Sequence, residues 1–526
     1  MKKFSLVLAV VLTAITLVTA GCKKETAAGT AAQTGGGAIA VEIFDRGTDG
    51  GRSLAYDNEW TNWVKEKAKA DQNLDVTFIP VGRWSENTDI VNLMAAGSAP
   101  DLCYTYAGDM VSNFRDQGGI LDIAPYIDQY LPDLKRLLGA DPAITGKDFI
   151  YRNQDQKTGA VYSIMSARVA LAQRNIFIRK DWLNALGLPM PATIDEFYRT
   201  LVAFRDRANQ LPGNVGNRVV PYGQNDDARW GLRDLIRHFI EPMSERDRWV
   251  YYIHERDVMM PGFKEGVREM NKWYNERLIY QDFPLMKTAD DFYNQMKSGV
   301  VGAFSQNWDL PYRQDYVINA ELARNIPGAE FVPVDLNLSN REMMDKSGLH
   351  IFIPSFSKNH IGALQYLNWL AKPENYGFLQ IGNEGVNHTR VNGVPNVVAM
   401  TANHPWIQNS TQNIDMTMPL NGVQMGSDEL NARVLALSYG NILPETVVNA
   451  YAISVKNARA AAVHQATTTV NQYSQTLQDK ADALLAQAIT ANPAQFDAVF
   501  EAGYRDWINS GAQEVFDERS RLYPRQ

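Results

Sequence analysis

Rings set beside planar polar groups carry the most informative chemistry in this chain. Trp308 stands in Gln306-Asn307-Trp308-Asp309, directly after the apolar run Val300 to Phe304. Trp230 follows Asp226, Asp227 and Arg229, and Tyr104 and Tyr106 close the apolar stretch after Asp101. An aromatic face covers apolar C–H groups, while Asp, Asn and Arg direct hydrogen bonds at hydroxyls. A guest that offers both needs that combination, since a buried hydroxyl left unpaired costs roughly 1–3 kcal/mol. Asn307, Trp308, Asp309, Trp230, Tyr104 and Tyr106 are therefore candidates for contact, with core packing as the competing use of each ring. The loop Asp45 to Arg52 adds Gly47, Gly50 and Gly51, which admit a close backbone approach or simply make a solvated turn.

Bond-making chemistry has no comparable signature. The seven His show no His-Glu-x-x-His and no other metal spacing, and no Walker A, Gly-x-Ser-x-Gly or dinucleotide fingerprint occurs. The chain reads as a binding protein rather than an enzyme, with no cofactor implied. Its 59 acidic residues leave a glycosidase's carboxylate pair open, so a surface glycoside-active enzyme is one alternative. A receptor subunit that reports its ligand to a sensor is another. The formal charge of -8 argues against nucleic acid as a partner.

The N-terminal residues set the compartment. Lys2 and Lys3 precede an apolar run, Leu6 to Val18, that is too short for a stable membrane span. Residues 1–21 are expected to be a signal peptide. Leu17-Val18-Thr19-Ala20-Gly21-Cys22 resembles a lipobox, with Thr19 where Leu is usual. Cys22 would become the N-terminus and carry acyl chains, palmitate among them, each methylene worth roughly 0.8 kcal/mol of membrane affinity. Losing Lys2 and Lys3 with the leader takes the charge from -8 to -10. Residues 22–38, rich in Ala, Gly and Thr, are expected to be a flexible tether. Cys103 then has no disulfide partner and reads as buried and inert.

The positioning elements follow from periodicity. Ile39 to Phe44 is strand-like; Trp60, Trp63, Val64 and Lys67 trace a helix face; Leu74 to Val81 alternates as a strand; Leu102 to Tyr106 is another. Strands and helices alternating at this spacing indicate α/β layers, and apolar residues at 45% supply cores for two or three lobes. Gly187 closes a helix after Trp182 to Leu186. Thr193-Ile194-Asp195-Glu196 reads as a capping box, Thr193 accepting from the Glu196 amide and Glu196 returning to the Thr193 N–H. Ala289 to Lys297 and Lys358 to Leu370 read as helices, Val300 to Phe304 and Leu349 to Ile353 as strands. After about Pro444 the chain is helical and Ala-rich.

Several ordered segments resemble the lipoprotein branch of the bacterial extracellular solute-binding proteins that serve sugar ABC importers. They are Phe78-Ile79-Pro80-Val81 with Arg83, Leu93 to Leu102, Ile178 to Leu183, Leu186-Gly187-Leu188, Pro191 and Thr193 to Phe197. Further on come Lys297-Ser298-Gly299 with Val301-Gly302 and Trp308, Pro354 to Lys358, Leu367-Asn368-Trp369, and Gly382 with Glu384 to Val386. The resemblance implies a type II periplasmic-binding fold, in which two α/β lobes flank a cleft, are joined by hinge crossings and end in a helical C-terminal segment. It implies a carbohydrate ligand, membrane ABC permease subunits as partners, a monomer, and lipid anchorage on a bacterial membrane facing the periplasm or the exterior. Residues 39–167 and 326–353 would form the N-terminal lobe, and 168–325 and 354–526 the C-terminal lobe. Crossings are expected near Arg168 to Ala172, Asn325 and Pro354. Arg168 at a crossing and Glu384, His388 and Arg390 in a family-like loop join the candidate contacts. Relatives often carry an acidic calcium loop where this chain has Asn209 to Arg218, which holds no carboxylate. Calcium prefers several anionic oxygens, so no metal is expected there.

Overall fold

The structure is a computed structural model. It describes residues 35–45, 55–83, 85–139, 148–155, 157–253, 256–286, 288–313, 316–397, 414–422, 425, 427–436, 439, 442–460 and 467–524. The leader, Cys22, most of the tether and nearly all of the loop after Asp45 lie outside the described residues.

In chain order, β1 (Gly37–Asp45), β2 (Leu74–Gly82), β3 (Cys103–Thr105) and β4 (Ile164–Arg168) belong to the first lobe. Next come β5 (Arg174–Arg179), β6 (Val220–Tyr222), β7 (Val301–Asn307) and β8 (Phe331–Val334) of the second. The chain returns through the short β9 (Glu342–Met343) to β10 (Ser347–Phe352). A separate hairpin of β11 (His388–Val391) and β12 (Val394–Val397) follows, and β13 (Leu420–Asn421) joins the first lobe's sheet.

In the first lobe β1 and β2 run parallel, and a parallel bridge from Val41 to Leu102 leads to the sheet ordered β13-β4-β10-β3. The second lobe's sheet has the order β6-β7-β5-β8. Burial explains the strands. β1 hides Ile39, Val41, Ile43 and Phe44, and all six residues of β5 are buried between layers.

Local signals behave as the residue types require. Gly187 ends the helix Lys180–Leu186 with φ of 63°, where a side chain would be strained. Thr193 caps the helix Ile194–Asp206, accepting from the Glu196 amide at 3.2 Å. The other half of the expected capping box differs, because the Glu196 carboxylate accepts from the Ala192 N–H at 2.8 Å rather than from Thr193.

Two apolar cores divide the chain differently from the expected partition. Ala329, Phe331, Val334, Leu336 and Leu338, expected in the first lobe, pack in the second core, because β8 takes the free edge of β5. The helices His360–Leu370 and Pro373–Ile381, expected in the second lobe, fill the first core together with Met416, Met418 and Leu420. The helix His360–Leu370 buries eight of its residues and so needs cover on nearly every side, which β1 helps to supply. The first passage between the cores runs from Val169 to Ala172, within the expected Arg168 to Ala172. The others fall between Leu338 and Leu349 and between Leu420 and Ala432, not near Asn325 and Pro354. The helices from Pro444 to the C-terminus join the second core. Among the described residues no helix is long and apolar enough to cross a membrane.

Candidate functional site: two facing sheet rims

Strand direction places the site. β3 and β4 both run antiparallel to β10, so Thr105 and Arg168 finish at the same rim of the first sheet, beside the ends of β1 and β2. In the second sheet β6 and β7 are parallel, and Arg174 opens β5 opposite Asn307, which closes β7. Six residue steps from Arg168 to Arg174 span at most about 20 Å, so the two rims lie at the two ends of one short link. Open α/β sheets hold their ligands at such carboxyl ends.

The first rim is a layered stack. Tyr106, half-buried just past β3, lies parallel to Phe44 at 6.2 Å. The guanidinium of Arg83 sits 4.6 Å from the Tyr106 ring centre and that of Arg168 5.0 Å from it. Arg83 also bonds Glu86 at 2.8 Å, while the Arg168 Nε donates to the Ser347 carbonyl at 3.1 Å. Tyr104 is fully buried, its hydroxyl accepting from the Phe44 N–H at 3.1 Å, so it supports the rim from beneath. On β10, next to β3, burial lowers the His350 pKa to about 4, and Asn153 reaches its Nδ1 at 3.1 Å.

The second rim is built on Trp230. Asp227 caps its short helix, accepting from the Trp230 N–H at 2.9 Å, and the ring nitrogen donates to Gln306 Oε1 at 2.6 Å. The guanidinium of Arg174, fully buried, backs the half-buried ring at 4.6 Å. Asp234 holds Arg174 at 2.8 Å. Burial alone would raise the Asp234 carboxyl, but Arg174 and Arg341 outweigh it and keep the pKa below its ordinary value. Burial lowers Arg174 to about 10, so it remains charged at neutral pH. Behind them Arg233 and Arg237 share Glu342, and Arg237 grips Asp257 at 2.6 and 2.9 Å.

The other candidates fall elsewhere. Trp308 is 6% exposed and edge-on to Tyr451 at 5.5 Å and Tyr439 at 6.4 Å, inside the second core. Its backbone N–H donates to the Gln173 carbonyl at the end of the first crossing. Asp309 accepts from the Tyr439 hydroxyl at 2.5 Å. Asn307 remains half-buried at the rim. His388 is buried with its Nδ1 on the Ile381 carbonyl, and Glu384 and Arg390 pair at 3.3 Å on the surface. Their described hydrogen bonds stay within that loop and hairpin. Phe44, Arg174 and Gln306 are rim residues that periodicity did not single out. The signal for Arg174 was its place as the first residue after a crossing.

Two more features bear on chemistry. The stretch Asn209 to Arg218 forms 3-10 turns at Ala208–Gln210 and Gly216–Arg218, with Arg218 donating to the Asn214 carbonyl. Cys103 is buried, and burial pushes its thiol well above the ordinary value, which leaves it protonated.

Two lobes with facing rims define a two-lobe periplasmic-binding fold. The alginate-binding protein AlgQ2 in its calcium-free crystal structure has the same fold, with a TM-score of 0.65 at 16% identity over 93% of this chain and 98% of that one. The description "Bacterial extracellular solute-binding protein" matches residues 53–377, more than half of the chain, and the protein belongs to that family. It is 23% identical over 344 residues to the polygalacturonan/rhamnogalacturonan-binding protein YtcQ of Bacillus subtilis, covering 62% of this chain and 63% of YtcQ. It is 26% identical over 245 residues to the fructooligosaccharide ABC transporter substrate-binding protein FusA of Streptococcus pneumoniae, covering 42% and 38%. The chain thus spans less than two thirds of each relative's length.

Proposed function

We propose that the protein captures a carbohydrate between its two rims and delivers it to the membrane permease of an ABC importer. The observation that carries this is that Tyr106 and Trp230, each stacked against guanidinium groups, stand at the two strand rims joined by the short link from Arg168 to Arg174. Rings cover the C–H faces of a sugar, and Gln306, Asn307 and Arg168 are placed to meet its hydroxyl rim. Membership of the solute-binding family supports it, as do the names of YtcQ and FusA.

The protein acts by binding, without turnover, as a monomer held to a bacterial membrane by lipid on Cys22, facing the periplasm or exterior. The basic start, apolar run and lipobox-like Cys22 support the anchor. The ligand bridges both rims and stabilises the arrangement in which they are closest.

A thermal-shift screen over a glycan panel, followed by calorimetry on the best ligand, tests the proposal. We expect saturable stabilisation by one glycan class and a smaller radius of gyration in X-ray scattering. Stabilisation by no glycan sinks the carbohydrate reading. Chemical conversion of a bound oligosaccharide makes the protein an enzyme instead.

A further inference from the structure

We infer that the solute carries a carboxylate and that Arg168 receives it; the inference rests on the carbohydrate reading above. Three rim arginines already have acids. Arg83 pairs with Glu86 at 2.8 Å, Arg174 with Asp234 at 2.8 Å and Arg229 with Asp227 at 3.7 Å. Arg168 differs from them. Among the described residues no carboxylate lies within ion-pair distance of it, and its contacts are the Ser347 carbonyl and the Tyr106 face. The acid on the neighbouring crossing, Asp345, is engaged by Arg152 at 3.0 Å and by Ser347.

The way Arg168 is held suits an anion. Stacking on Tyr106 and the bond from Nε to Ser347 fix the plane of the guanidinium. Its two terminal nitrogens are left as a fork, and a fixed fork matches the two oxygens of a carboxylate. The residue is half-buried, and among the described residues no acid neutralises it before a guest arrives. A neutral hydroxyl supplies no such charge. Arg168 thereby becomes a specificity residue, and the substrate class narrows to acidic sugars.

The experiment titrates the full chain calorimetrically with matched pairs of oligosaccharides that differ only at C6, carboxylate against hydroxymethyl. The pairs are galacturonate and galactose, mannuronate and mannose, glucuronate and glucose. We expect one acid to bind at least about ten-fold tighter than its neutral twin, with the advantage shrinking as salt rises. Arg168→Gln should bring that ratio near one with the melting temperature unchanged. Arg168→Lys, which keeps the charge and loses the fork, should fall between and serves as the test if the glutamine variant does not fold. Tighter binding of a neutral twin, or a ratio unmoved by both variants, overturns the inference while the carbohydrate reading stands. Binding of none of the six overturns the inference and leaves the carbohydrate reading to the glycan panel.

Discussion

The two rims solve one problem by opposite means. The first sets its half-buried ring among guanidinium groups, and among the described residues no acid lies within ion-pair distance of Arg168. The second seats Trp230 on a buried Arg174 and ties that arginine into Asp234, Arg341, Glu342, Arg237 and Asp257. A buried charge network tolerates little rearrangement, because each group would be stranded if its partner moved. The second rim is therefore a prebuilt wall, and on the proposed reading the first is where electrostatic choice would reside.

The contrast breaks first at Asp234. Asp234→Ala would leave Arg174 buried without its acid and should cost about 3–5 kcal/mol in urea unfolding. A loss under about 1 kcal/mol would mean that the network does not brace the lobe. Removing rings separates stability from binding. Trp308→Ala should cost about 3–5 kcal/mol of stability. Trp230→Ala should instead weaken the glycan identified by screening by on the order of 1–3 kcal/mol, read by calorimetry. If Trp308→Ala weakens binding in a stable protein, our placement of the two rings is reversed.

The first lobe should answer to pH. His350 titrates near 4 when folded, against an ordinary 6.5, because burial disfavours its charge. Its contribution to stability is complete above about pH 6.5 and is lost as pH falls toward 4. His350→Gln should flatten that part of the profile in chemical unfolding. The smallest effect sharpens the comparison: Arg168→Ala should shift stability by no more than about 0.5 kcal/mol. A larger loss in thermal unfolding would make Arg168 structural rather than reserved for the guest.

Much of this was legible in the residues, and the failures have a common cause. The helix stop at Gly187, the cap at Thr193 and the first crossing rest on neighbours within a few positions, which periodicity and residue type report directly. The burial of Trp308 is not legible locally, because the rings beside it, Tyr439 and Tyr451, lie more than a hundred residues away. Trp230 and Trp308 each stand among polar residues, and only tertiary packing tells the wall from the core. Arg174 was passed over for the same reason, since Asp234 and Trp230 meet it only in the fold. The partition after Ile326 failed because a strand edge and a sheet face, not local pattern, decided which lobe took β8 and the helix His360–Leu370.

The helix Pro444–Val455 fastens the first crossing. Leu171 donates its N–H to the Tyr451 hydroxyl and Gln173 donates to Ser454, both at 3.1 Å. That stretch of chain must travel with the second lobe, which confines any turning on this link to Val169 and Ala170, beside Arg168. A group next to an axle hardly moves while distant parts sweep. A carboxylate held by Arg168, as proposed, would stay still while the second lobe turned to cover the sugar.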